Sequence, residues 1–90
     1  MRASKTVTIV NKLGLHARAA TQLVQVANKF DATVTLVKGE KEADANSVLG
    51  LMMLESHQGE QVEIISDGED AEEALHAIAS LIDGKFNEEE

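Results

Sequence analysis

Thr6-Val7-Thr8-Ile9-Val10-Asn11-Lys12-Leu13-Gly14-Leu15-His16-Ala17-Arg18-Ala19-Ala20 is the stretch in which the chain changes its period. Up to Asn11, Val7 and Ile9 alternate with Thr6 and Thr8, the mark of a half-buried strand over residues 5–11. Asn11-Lys12-Leu13-Gly14 then reads as a turn. From Ala17 the spacing moves from two towards 3.6 residues. Ala20, Leu23, Val24, Ala27 and Phe30 form one apolar stripe and predict an amphipathic helix over residues 17–29.

Outward from this junction the same two periods recur. A second strand is expected over residues 32–38, with Val34 and Leu36 inward. Gly39-Glu40 supplies a tight turn into a short third strand at 41–45. Residues 47–55 can form a short helix capped by Asn46 or Ser47, and Gln58-Gly59-Glu60 marks another turn. In the fourth strand Val62, Ile64 and Ser66 alternate with Glu63 and Ile65. Asp70 and Glu73 have the spacing of a capping box ahead of a long face of Ala71, Ala74, Leu75, Ile78, Leu81 and Ile82. Gly84 can end that helix, and Glu88 to Glu90 read as a frayed acidic tail. The order β-α-β-β-α-β-α, with polar-faced strands and amphipathic helices, predicts an α+β fold: an antiparallel sheet covered on one side by helices, as a single domain over residues 1–90.

Composition narrows the function classes. The apolar fraction is 43% but aromatics are only 2%, Phe30 and Phe86, so the core must be aliphatic. With no cysteine there is neither a disulfide framework nor a thiolate metal site, which suits a reducing compartment. No signal-like or membrane-spanning apolar run occurs, so a cytoplasmic protein without membrane insertion is expected. The net charge of -8 is unevenly spread, +5 over residues 1–38 and -13 over residues 39–90, an imbalance that can orient a protein partner. The basic residues are scattered without interleaved aromatics, which argues against nucleic acid. No carboxylate cluster or glycine-rich nucleotide loop is evident, so no metal or cofactor is expected.

His16 falls at the N-cap of the expected first helix, where Ser, Thr, Asp and Asn are the usual occupants. Leu15 and Ala20 can act as a weak hydrophobic staple there. The first helical N–H groups lack intrahelical partners and, with the helix dipole, favour an anion; they also disfavour an imidazolium and so leave a nucleophilic ring. Arg18, two residues on, carries a guanidinium fork suited to phosphate oxygens. By residue chemistry alone, two readings stay open: a phosphate or other anion site, and an incidental surface histidine.

Gly-Leu-His-Ala-Arg at residues 14–18, between the first strand and the first helix, closely resembles the phosphohistidine signature of the histidine-containing phosphocarrier family, HPr. The resemblance runs over residues 4–86 and includes Ala20, the segment Asn46-Ser47-Val48-Leu49-Gly50-Leu51-Met52-Met53-Leu54, Gly59, Gly68 and the last helix. It implies an HPr-like open-faced β-sandwich, four antiparallel strands with three helices on one face. It further implies phosphorylation of His16 on Nδ1, with the phosphate held by Arg18 and by the backbone N–H groups of Ala17 and Arg18. The partners implied are an enzyme I-type donor and an enzyme IIA-type acceptor, the chain being a monomeric carrier rather than a stand-alone enzyme. Asn11-Lys12-Leu13-Gly14 and Ala45-Asn46-Ser47-Val48 look more like the nitrogen-related branch, NPr, than the sugar-transport branch. One position departs from the pattern: the family usually has proline after the arginine, and this chain has Ala19, which adds an N–H donor near the cap.

Ser47 matches a serine that a dedicated kinase modifies in some family members, but an N-cap hydroxyl accounts for it without any kinase and is the preferred reading. The helix after it is apolar on more than one face. Leu51 and Leu54 can enter the core, leaving Leu49 and Met52, with part of Val48 or Met53, as a candidate protein-docking patch. His57 and His76 have no metal-ligand companions and read as surface residues. The competing function is a regulatory interaction domain that uses this apolar surface and is never phosphorylated.

Overall fold

The computed structural model describes residues 1–88. Its order is β1 (Arg2–Thr8), α1 (Ala17–Ala27), β2 (Ala32–Lys38), β3 (Lys41–Asp44), α2 (Val48–Met53), β4 (Gln61–Gly68) and α3 (Ala71–Asp83), followed by a short left-handed turn at Lys85–Asn87. The strands form one antiparallel sheet in the order β1-β4-β2-β3. The three helices lie on one face of it, the open-faced β-sandwich that the sequence led us to expect.

Alternation decides which face is covered. Val7, Val34, Leu36, Ala43, Val62, Ile64 and Ser66 are buried beneath the helices, while Arg2, Thr33, Glu42 and Asp67 are exposed on the open face. Leu23 of α1, Leu51 of α2 and Ile78 and Ile82 of α3 close the core from the other side. The largest fully buried side chain is Phe86, from the segment after α3.

Three local expectations differ from the structure. The first strand spans Arg2–Thr8 rather than 5–11, because the eight residues of β4 offer partners from Thr8↔Gln61 back to Arg2↔Asp67. Helix α1 stops at Ala27, since the N–H groups of Lys29 and Phe30 turn to carbonyls three residues back and tighten the last turn. The Asp70–Glu73 capping box does not form. Instead the Asp70 carboxylate accepts the Asp31 N–H at 2.7 Å and the Asp70 N–H donates to the Asp31 carbonyl at 3.0 Å, tying the start of α3 to the residue before β2.

Candidate functional site

The β1–α1 connection is closed on itself before it reaches the histidine. Asn11 is fully buried; its Nδ2 donates to the Gly14 carbonyl at 2.8 Å, and the Gly14 N–H donates to the Asn11 carbonyl at 3.2 Å. Gly14 has φ +66° and lies against Ser56, where a Cβ would overlap the Ser56 carbonyl oxygen, so only glycine fits. The next residue, Leu15, is buried and donates its N–H to that same Ser56 oxygen at 2.9 Å. The chain thus enters α1 pinned to the segment that follows α2.

His16 occupies the N-cap in extended conformation, φ -82° and ψ 179°, and its carbonyl accepts the Ala20 N–H at 2.8 Å. Its imidazole makes no capping bond. The N–H groups of Ala17, Arg18 and Ala19 therefore point out of the helix start with no partner among the described residues. Ala19 itself is fully buried, so the position where the family usually carries proline packs in the core, and its extra N–H is covered rather than open to solvent. Arg18 is exposed and makes no ion pair or hydrogen bond among the described residues. It lines an open hollow with Leu13, Asn87 and Glu88.

The His16 ring is 26% exposed, and its Nε2 lies 2.6 Å from the Glu88 carboxylate. Glu88 is 10% exposed and also accepts from Asn11 Nδ2 at 3.1 Å. This corrects the reading of Glu88 as part of a frayed tail; Glu89 and Glu90 lie outside the described residues. Sequence reasoning missed both Asn11 and Glu88 as site residues. The signal for Asn11 was its position three residues before a glycine, where an Asx side chain can close a turn. For Glu88 there was none, since it meets the ring from 72 residues away.

Beside α1, which packs on α2, lies the second expected patch. The Ser47 hydroxyl accepts the Gly50 N–H at 3.0 Å and caps α2. Leu51 and Leu54 are buried, whereas Leu49, Met52 and Met53 are 69, 39 and 65% exposed. The far end of α2 is held by Lys38, whose Nζ donates to the carbonyls of Leu54 at 3.2 Å and Glu55 at 2.7 Å and pairs with Glu60 at 3.0 Å. Glu60 also accepts the His57 N–H at 2.7 Å, and this bond, with the Lys38 ammonium, holds its carboxyl below the ordinary range. His57 and His76 are exposed, and no three His, Asp or Glu side chains among the described residues gather into a metal-binding group. No helix among them is long and apolar enough to cross a membrane.

A part-exposed imidazole at an open helix start, with an exposed arginine two residues on, defines a site suited to holding an anion at the protein surface. Comparison with known proteins agrees. The family model described as "PTS HPr component phosphorylation site" matches residues 3–84. Among curated relatives, the phosphocarrier protein NPr of Shewanella violacea is 54% identical over 87 residues, covering 97% of this chain and 96% of that one. The phosphocarrier protein HPr of Xylella fastidiosa is 43% identical over 82 residues, covering 91% and 92%. The crystal structure of HPr from Thermoanaerobacter tengcongensis superposes with a TM-score of 0.92 at 42% identity, covering 98% of this chain and 99% of that one. The chain belongs to the HPr family of phosphocarrier proteins, which carry a phosphoryl group on a histidine as components of a phosphotransferase system.

Proposed function

We propose that His16 is the phosphoryl acceptor, that Arg18 and the N–H groups of Ala17 and Arg18 hold the phosphate, and that the chain works in a regulatory, nitrogen-related system. The observation that carries this is the open start of α1, where unpaired helical N–H groups adjoin one imidazole and an unpaired guanidinium follows two residues on, with the Glu88 carboxylate against the ring's Nε2. The Nδ1 lone pair forms the new bond to phosphorus as the donor's own phosphorus–nitrogen bond breaks, and the open N–H groups and Arg18 meet the equatorial oxygens. Onward transfer reverses this, returning the electron pair to Nδ1.

In this reading an enzyme I-type protein donates and an enzyme IIA-type protein accepts. Both dock over α2, where Leu49 and Met52 offer the apolar surface. The nitrogen branch is supported by Asn11-Lys12-Leu13-Gly14 and Ala45-Asn46-Ser47-Val48. The carrier is a monomeric cytoplasmic domain over residues 1–90. Ser47 serves as the cap of α2, and its phosphorylation would set negative charge beside the docking surface as a brake on transfer.

The test is reconstitution with phosphoenolpyruvate and enzyme I, followed by mass spectrometry under conditions that preserve phosphohistidine. Acid-labile phosphate on His16, lost in His16→Ala and slowed about tenfold or more in Arg18→Ala, is expected. Partner binding that is unchanged in His16→Ala, with no phosphate on the natural chain, would instead favour the unphosphorylated interaction domain that the exposed face of α2 also suits.

A further inference from the structure

We infer that Glu88 is a positioning residue for His16: its carboxylate takes the Nε2 proton and thereby sets which ring nitrogen is free to attack. The inference rests on the reading of His16 as acceptor. An ionised carboxylate can only accept, so the 2.6 Å contact requires the hydrogen on Nε2. In the neutral ring that leaves the lone pair on Nδ1.

The contact is built rather than incidental. Asn11, fully buried, donates from one amide nitrogen to the Gly14 carbonyl and to the same Glu88 oxygen that meets the ring. Both partners are acceptors, which fixes the amide with nitrogen towards them. Its Oδ1 is left buried without a partner among the described residues, so the orientation is held against an opposing cost. Glu88 is delivered by an unusual backbone: Lys85, Phe86 and Asn87 have φ of 59, 54 and 62°, three successive non-glycine residues in the left-handed region. Phe86, wholly buried in the core, locks this reversal in place. A sparsely populated conformation that ends on the reactive ring is where a functional constraint is expected.

The carboxylate has a second consequence along the reaction. As Nδ1 bonds to phosphorus and the donor's bond breaks, Nε2 keeps its proton and the ring gains positive charge beside Glu88. When the phosphoryl group leaves, the electron pair returns to Nδ1 and the ring is neutral again with the proton still on Nε2. No proton has to be gained or lost during either transfer.

Two variants separate geometry from charge. In uniformly ¹⁵N-labelled full-length protein, two-bond ¹H–¹⁵N correlation spectra read the tautomer of the neutral His16 ring, and rapid-quench single turnover from phosphorylated enzyme I reads acceptance. Glu88→Ala is expected to shift the ring from almost wholly Nε2–H to a mixture of tautomers and to slow acceptance about tenfold. Glu88→Gln, whose amide oxygen can still accept from Nε2, should keep the tautomer and lose only part of the rate. The inference is overturned if Glu88→Ala leaves the tautomer unchanged, whatever happens to the rate, or shifts the tautomer with acceptance unaltered. A loss of folding in Glu88→Ala leaves Glu88→Gln to decide: a Gln variant as fast as the natural chain refutes the role of the charge. Phosphate found on a residue other than His16 would defeat the acceptor assignment, while the tautomer measurement would still report on Glu88.

Discussion

Gly14→Ala and Gly39→Ala place the same methyl group on nearly the same backbone, φ +66° and +60°, in very different surroundings. Each pays for a left-handed alanine, about 1–2 kcal/mol. At Gly39 an added Cβ finds nothing within 4 Å, so the cost ends there. At Gly14 it overlaps the Ser56 carbonyl oxygen and comes within 3.1 Å of His57 Cα and 3.3 Å of the Ser56 carbonyl carbon, all backbone that cannot rotate away. Ser56 must retreat, weakening the 2.9 Å bond from Leu15, about 1 kcal/mol, and disturbing the packing of buried Leu15 and Leu54 by about 1–3 kcal/mol more. Gly14→Ala should therefore cost about 3–6 kcal/mol and Gly39→Ala about 1–2. For a domain of this size the gap between them corresponds to a difference in Tm on the order of 10 °C or more. Urea denaturation followed by circular dichroism gives both values, provided the m-values agree. The Gly39 variant should still accept phosphate, whereas the Gly14 variant should lose acceptance even under conditions where it is folded, because the displaced segment carries His16 with it. Equal destabilisation by the two substitutions, within about 0.5 kcal/mol, would refute the claim that close approach to Ser56, rather than φ alone, demands glycine at the site.

Two further outcomes test the rest of the surface. Leu49→Ser, which alters one of the most exposed apolar side chains of α2, should change stability by less than about 0.5 kcal/mol yet raise the enzyme I concentration needed for half-maximal transfer severalfold; the reverse pattern would place Leu49 in the core. Glu60 is held below the ordinary carboxylate range in the folded state by the His57 N–H and the Lys38 ammonium, so its stabilisation is complete above that range and is lost as pH falls through the depressed value. Denaturation curves from neutral pH downward should accordingly show a shallower acid-side loss for Glu60→Gln than for the natural chain, and parallel curves would refute the assignment.

The amino-acid sequence carried the local features because local physics makes them. The change of period at residues 11–17 marks the strand-to-helix junction, alternation places Val34, Leu36, Val62 and Ile64 inside, and Ser47 caps α2 through a bond spanning three residues. The place of His16 at the open start of α1, with Arg18 two residues on, was legible for the same reason, since a helix start exposes its N–H groups whatever lies beyond it; the role proposed for the pair came from the resemblance of Gly14-Leu15-His16-Ala17-Arg18 to the family signature. Other features answer to partners far along the chain. The extent of β1 follows the length of β4; Asp70, spaced to cap its own helix, ties instead to Asp31; and Ser56 makes Gly14 indispensable from across the molecule. Glu88 shows the limit most clearly. Three terminal glutamates look like a solvated tail, and nothing near them in the chain says otherwise. Only burial of Phe86 against the assembled core turns the backbone through Lys85–Asn87 and sets one of those carboxylates against an imidazole 72 residues away. A contact of that separation exists only after the sheet and helices have packed, because the hydrophobic energy that holds it belongs to the whole core and not to the segment.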